Sequence, residues 1–140
     1  ELLKPRFIYL GKKDFQQLFL IKKHINKNKI KTSVISCKTV RENKLLPYSS
    51  RNYNLNKKNK SLALKVFKFL KKEKLSIKKN KIKKINLLHI KKKILSLGIK
   101  KIDYIEAINL KNLKKAKRFN ENFNIFCAFY IEKVRLIDNF

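Results

Sequence analysis

Gly11-Lys12-Lys13-Asp14-Phe15-Gln16-Gln17-Leu18 is the stretch around which the chain can be arranged. Before it stands an apolar run, Phe7-Ile8-Tyr9-Leu10, of the length of a buried strand. After it, Phe15, Leu18, Phe19, Ile21 and Ile25 recur near helical spacing. A strand, one glycine, charged and amide residues and then a helix form the profile of a ligand site at the carboxyl end of a parallel strand. Glycine there lets backbone approach a ligand, and the unpaired N–H groups of a helix start favour anions. Asp14 and Gln17 also have the spacing of a capping box, so a purely structural role competes with a ligand role at both positions.

Downstream, Lys31 to Cys37 reads as a second strand rich in β-branched residues. Strand, helix and strand of these lengths make a right-handed βαβ unit the default. Residues 38–54, with Pro47 and a polar run, read as an irregular connection, and long loops of this kind are usually functional or disordered. From Asn56, a plausible N-cap, the pattern turns helical, with Leu62, Ala63, Val66, Phe67 and Leu70 as the apolar stripe. A second helix is expected from about Asn80 to Leu97, with Ile82, Ile85, Leu88 and Leu95 inward and Gly98 at its left-handed end. The last third reads as three strands. Lys101 to Ile108 should place Ile102, Tyr104 and Ile108 on one side and Ile105 and Ala107 on the other. Ile125 to Ile131 and Val134 to Ile137 follow. Three strands after two helices suggest a small antiparallel sheet with helices on one face.

Composition sets outer bounds. The chain has 140 residues and a hydrophobic fraction of 44%, enough for a core. A formal charge of +29 invites a reading as a nucleic-acid binder. Arginine, however, stands only at positions 6, 41, 51, 118 and 135, so 33 of the 38 basic residues are lysine. Abundant Asn and Ile, two Gly, two Pro and no Trp or Met are what an A+T-rich coding sequence would give, with lysine filling solvated faces. The only aromatics among the lysines of residues 57–97 are Phe67, which belongs to the apolar stripe, and Phe69, which alone is a poor platform for base stacking. A basic, non-specific RNA- or polyanion-binding module is the competing reading, and salt-dependent RNA binding would separate it from an enzyme. Cys37 and Cys127 lack metal-type spacing and are expected to be buried free thiols in a cytoplasmic protein. No apolar run reaches the length of a membrane span.

Four separated blocks carry a family resemblance. Gly11 with Lys13-Asp14-Phe15-Gln16-Gln17-Leu18, then Thr39-Val40-Arg41-Glu42, Ser49-Ser50-Arg51-Asn52 and Arg135-Leu136-Ile137-Asp138-Asn139 together resemble the pantothenate synthetase (pantoate–β-alanine ligase) family, second half only. The histidine signature of that family's first half is not in this sequence. The resemblance implies an α/β chain. Residues 1–44 would form the closing βαβ part of a doubly wound, Rossmann-like nucleotide-binding domain, and 45–140 a small α+β lid domain with a short antiparallel sheet. It implies ATP-dependent joining of pantoate to β-alanine through pantoyl adenylate, with Mg²⁺ accompanying ATP, in a cytoplasmic enzyme that is a homodimer at full length. The fragment by itself is expected to be inactive.

The resemblance also implies roles residue by residue. Gly11 and Asp14 would meet the ribose, Lys13 a phosphate, and the Val40 backbone the adenine. Ser49, Ser50 and Arg51 would hold the phosphates, and Gln17 would hold pantoate. Lys12 and Tyr48 complete the ATP-binding set, at positions where the family carries glutamate and methionine. Asn43 to Tyr48 replaces a more acidic, glycine-containing crossover, and Glu132-Lys133 occupies a turn where glycine is expected.

Overall fold

A computed structural model describes residues 3–140. Its contacts divide the chain into two compact units, Glu1–Val40 and Arg41–Phe140. Residues 41–44 pack within the second unit, because Arg41 and Glu42 pair with Pro47 and Leu46 in a short antiparallel ladder.

The first unit is a βαβ element. Strand β1 (Phe7–Gly11) leads through a 3₁₀ turn, Lys12–Asp14, into helix α1 (Phe15–Lys27), and strand β2 (Ser33–Cys37) follows. The strands are parallel and in register from Phe7 opposite Ser33 to Gly11 opposite Cys37. Leu18 and Ile25 are the buried residues of α1, seven apart and thus on one face. On the sheet, Phe7, Tyr9 and Ile35 stay exposed while Ile8, Leu10 and Val34 are half-buried, so alternation puts one set of apolar residues on each face.

The second unit is α+β. Strands β3 (Arg41–Glu42) and β4 (Leu46–Pro47) form a minimal hairpin, and a 3₁₀ turn, Ser50–Asn54, follows. Helices α2 (Lys57–Lys79) and α3 (Leu87–Ser96) precede β5 (Lys101–Asn109), β6 (Phe123–Ile131) and β7 (Val134–Asn139). The three strands make an antiparallel sheet in the order β5-β6-β7. Asn56 caps α2, its side-chain oxygen accepting the Asn59 N–H at 2.8 Å. Ala63, Val66, Phe67, Leu70 and Ile77 form the buried stripe of α2, and exposed lysines such as Lys58, Lys65, Lys68 and Lys72 cover its outer side. Phe67 meets the rings of Phe129 and Phe140 at centroid distances of 5.5 and 5.7 Å, within the range where tilted aromatic pairs attract. Phe67, Phe123 and Phe129 are fully buried, each contributing about 1.5–3 kcal/mol by leaving water.

Residues 41–54, expected as an irregular connection, instead hold the β3–β4 hairpin and the 3₁₀ turn, and two further expectations for this unit need correction. The helix expected over Asn80 to Leu97 begins only at Leu87. Asn80 ends α2, Lys81 takes a φ of 50°, and Asn86 caps α3 by accepting the His89 N–H at 3.0 Å. The apolar spacing therefore starts afresh, with Ile90 and Ile94 inward and Ile82, Leu88 and Leu95 exposed. Ile85 is buried as expected, but from the connection. In β5, a bulge between Ile102 and Tyr104 shifts the alternation by one residue. Ile102 thus turns to the core side with Ile105 and Ala107, instead of sharing a side with Tyr104 and Ile108. Gly98 has the expected left-handed φ, 107°, just beyond α3. Cys127 is fully buried, whereas Cys37, on β2, is only partly so.

Candidate functional site

The predicted residues fall into both units. Gly11, Lys12, Lys13, Asp14, Gln17 and Val40 belong to the first unit, and Tyr48, Ser49, Ser50 and Arg51 to the second.

In the first unit, β1 ends at Gly11 and α1 starts four residues later, so the expected strand–glycine–helix order holds. Gly11 has an ordinary extended backbone (φ −71°, ψ 137°), and a Cβ built on it would meet nothing within 4 Å. Neither backbone conformation nor crowding inside this chain requires glycine there. What its missing side chain leaves open is space beside the backbone. Asp14 occupies the N-cap position of α1, yet its carboxylate makes no capping hydrogen bond, so the capping box that competed with a ligand role for Asp14 and Gln17 does not form. Asp14 and Gln17 are exposed, as is Lys12, and Lys13 is half-buried. A carboxylate and an amide thus project from the start of a helix whose leading N–H groups lack intrahelical partners. A hollow of about 710 Å³ lined by Pro5, Ile8, Ile21, His24 and Ile25 contains none of the predicted residues.

In the second unit, Ser49 is extended (φ −161°, ψ 144°) and caps the 3₁₀ turn, its Oγ accepting the Arg51 N–H at 3.3 Å. Ser50 and Arg51 are exposed on this turn, Ser49 is half-buried, and Tyr48 is exposed. The turn is held from below by a residue to which the sequence reading gave no role. Asn52 is only 3% exposed and its amide nitrogen donates to Glu42 Oε1 at 3.1 Å and to the Pro47 carbonyl at 3.0 Å. Its own backbone N–H donates to the Ser49 carbonyl at 3.0 Å. Arg51 lines a cleft of about 720 Å³ together with Asn54, Glu132, Lys133, Val134 and Arg135. Three cationic side chains against one carboxylate suit an anionic guest. Arg135 is fixed there by Asp103, whose Oδ2 accepts from Nε at 2.9 Å and Nη2 at 2.7 Å, and this bond raises the arginine pKa further. Lys133 and Arg135 lie more than 80 positions after Arg51, and only the β6–β7 hairpin brings them to it. Among the described residues, no group of three His, Cys, Asp or Glu side chains could hold a metal ion. No described helix is long and apolar enough to cross a membrane.

Comparison with known proteins assigns the lineage. A sequence model of the pantoate-beta-alanine ligase family matches residues 1–140. The chain belongs to that family. Pantothenate synthetase of Francisella tularensis subsp. mediasiatica (strain FSC147) is 39% identical over 140 residues, which are all of this chain and 45% of that protein. The chain therefore spans about half the length of the curated ligases it matches. Among solved structures, a pantothenate synthetase from Thermus thermophilus superposes with a TM-score of 0.82 at 23% identity, covering 96% of this chain and 49% of the other, and shares the fold. Pantoate-beta-alanine ligase from Francisella tularensis, solved with beta-gamma ATP and beta-alanine, matches with a TM-score of 0.71 at 40% identity, covering 98% of this chain and 44% of the other. The fold class expected from the sequence, a Rossmann-like βαβ part followed by a small α+β part, is that of the ligase family.

Proposed function

We propose that this chain is the part of a pantoate–β-alanine ligase that binds ATP and closes over it. The reaction joins pantoate to β-alanine in two steps. Pantoate's carboxylate attacks the α-phosphate, giving pantoyl adenylate and pyrophosphate, and the amine of β-alanine then displaces AMP. A carboxylate approaching a polyphosphate needs charge neutralised and reactants aligned more than it needs an acid or a base. In this reading Lys13 and the Ser49-Ser50-Arg51 turn hold the phosphates, Arg51 through its planar fork. Gly11 and Asp14 take the ribose, the Val40 backbone takes the adenine, and Lys12 and Tyr48 flank the nucleotide. Gln17 holds pantoate by its amide. Mg²⁺ would enter on the phosphates, since the described residues offer hydroxyls and cations and no carboxylate cluster. Residues 1–44 would end the nucleotide-binding domain and 45–140 form the lid of a cytoplasmic, homodimeric enzyme.

The observation that carries the reading is agreement between lineage and local form at the same residues. The family match runs through all four sequence blocks. The side chains assigned to ligands also stand exposed or half-buried at a strand end, a helix start or a turn. The Francisella ligase at 40% identity was solved with an ATP form and β-alanine, two of the three reactants. The test is pantothenate formation from pantoate, β-alanine and ATP. The 140-residue chain alone is expected to make none, and the chain joined to the N-terminal portion of the Francisella ligase is expected to make it with stoichiometric AMP release. Turnover by the chain alone would overturn the division of labour, and no turnover by a folded joined protein would overturn the function.

A further inference from the structure

Arg41 and Asp138 are 97 positions apart, yet the guanidinium meets the carboxylate with two parallel bonds, Nη1 to Oδ2 at 2.5 Å and Nη2 to Oδ1 at 3.0 Å. The Asp138 side chain is wholly buried and that of Arg41 is 20% exposed. Arg41 also donates to the Leu45 carbonyl at 2.7 Å and to the Asn139 carbonyl at 3.4 Å, and its guanidinium lies 5.0 Å from the centre of the Phe140 ring. One side chain thus ties the end of β7 to both ends of the β3–β4 hairpin turn. From that hairpin the connection continues through Asn52, which holds Glu42 of β3 and the Pro47 carbonyl of β4, and then the Ser49 carbonyl. Two sets of polar contacts, joined through the Arg41–Glu42 backbone of β3, thus link the C-terminal strand to the turn carrying Ser49, Ser50 and Arg51.

We propose that Arg41, Asp138 and Asn52 form a buried latch that positions the Ser49-Ser50-Arg51 turn, making Arg41 and Asp138 positioning residues for whatever anion that turn holds. A buried ion pair is a poor device for stability alone, since well-packed apolar side chains of the same size do as well or better. What it supplies is direction, because the arginine fork fixes both distance and plane. The hairpin it anchors has two residues per strand, too few to hold a register unaided. Asn43 and Lys44 at its tip have φ values of 47° and 58°, a left-handed turn built here without glycine. Without Arg41 on Asp138, the hairpin and the turn behind it would keep their local bonds and lose their fixed place on the sheet.

The assignment of phosphate to that turn rests on the function proposed above, whereas the latch does not, and the experiment reads them separately. Hydrogen exchange is measured along the protein for Arg41→Lys, which keeps the charge and removes the fork, and for Asp138→Asn, which keeps the shape. Ile94→Val, at a fully buried residue of α3 that takes no part in the latch contacts, serves as a control that loosens the core alone. The latch predicts that amides of Ser50–Asn54 exchange roughly ten-fold faster in both latch variants, with α2 and β5 unchanged. The control should show no such selectivity. Unchanged exchange at Ser50–Asn54, or uniform acceleration through β5, β6 and β7, would overturn the latch. If Asp138→Asn fails to fold, Arg41→Lys carries the test. Inorganic pyrophosphate is the ligand probe. Binding that weakens in Arg41→Lys supports positioning, and equal binding by both proteins counts against it. If the unmodified protein does not bind pyrophosphate at all, the phosphate reading of the turn fails, and the exchange data still decide the latch.

Discussion

On α2 the ammonium of Lys74 is half-buried and donates to Asn124 Oδ1 at 2.5 Å, and Asn124 in turn donates to Asn139 Oδ1 at 2.6 Å. Burial, reinforced by the like charge of Lys78, lowers the Lys74 pKa from 10.5 to about 8. Below about pH 8 the folded and unfolded chains both carry this proton, and folding bears the full cost of the buried charge. Between about 8 and 10.5 the unfolded chain holds more protons than the folded one, so stability rises with pH through that window. Lys74→Met should abolish this rise. Urea unfolding from neutral pH to about pH 10 checks it: the stability of the unmodified protein minus that of the variant should increase with pH, and a flat difference would refute the shift. Neither this environment nor the Arg41–Asp138 pair was legible in the sequence. Lysine at position 74 looks like its neighbours in a lysine-rich helix, and nothing local marks a partner 50 or 97 positions away. Asn52 was visible as part of a block, but its role depends on the hairpin behind it. Buried partners are set by packing, which residue types alone do not specify.

At the scale of elements, turns carry the clearest departures from ordinary choices. Ile131 pairs with Val134 across a two-residue connection, and Glu132 there has a φ of 53°. Positive φ at the first central position of such a hairpin is where glycine normally stands. A side chain in the left-handed region costs roughly 1–2 kcal/mol, and glycine's extra unfolded-state entropy offsets roughly 0.5–1 of it. Glu132→Gly is therefore expected to raise stability by up to about 1.5 kcal/mol, measured as a higher urea midpoint at unchanged slope. A lower midpoint would mean that Glu132 makes a compensating contact. That turn was readable beforehand, because two residues between apolar runs leave few geometries. The longer strands and α2 were readable too, through apolar runs and a clean apolar stripe capped by Asn56, whereas the β3–β4 hairpin lay in a stretch read as an irregular connection. The start of α3 was not. Ile82, Ile85 and Leu88 have helical spacing, and only Asn86 in the capping position and the left-handed Lys81 reveal that α2 has ended. The bulge in β5 was equally hidden, since one skipped residue changes which side faces inward without changing composition.

For the whole molecule, the two-part division expected after residue 44 and the candidate site were both read through the family resemblance of the four blocks rather than through chemistry. Exposed lysines, serines and a glutamine are individually ordinary in a chain of charge +29. Their proposed division of labour can be tested because Lys13 and Gln17 sit one helical turn apart, on the same short stretch. Lys13 precedes α1, and Gln17 lies in its first turn. A shared structural role would make both substitutions lower stability alike. Distinct ligand roles would separate them: in the complete enzyme Lys13→Ala should weaken use of ATP, and Gln17→Ala should act mainly through pantoate. Each removes one hydrogen bond to a charged partner, about 1.5–3 kcal/mol, which corresponds to roughly ten- to a hundred-fold in kcat/KM for the affected substrate. A melting temperature that moves little in either variant would mark loss of a ligand contact and not loss of structure. Steady-state kinetics with ATP and pantoate varied in turn, beside a thermal melt, give the answer. If both variants lose the same substrate, or lose activity only in proportion to lost stability, the assignment of ATP to Lys13 and pantoate to Gln17 is wrong.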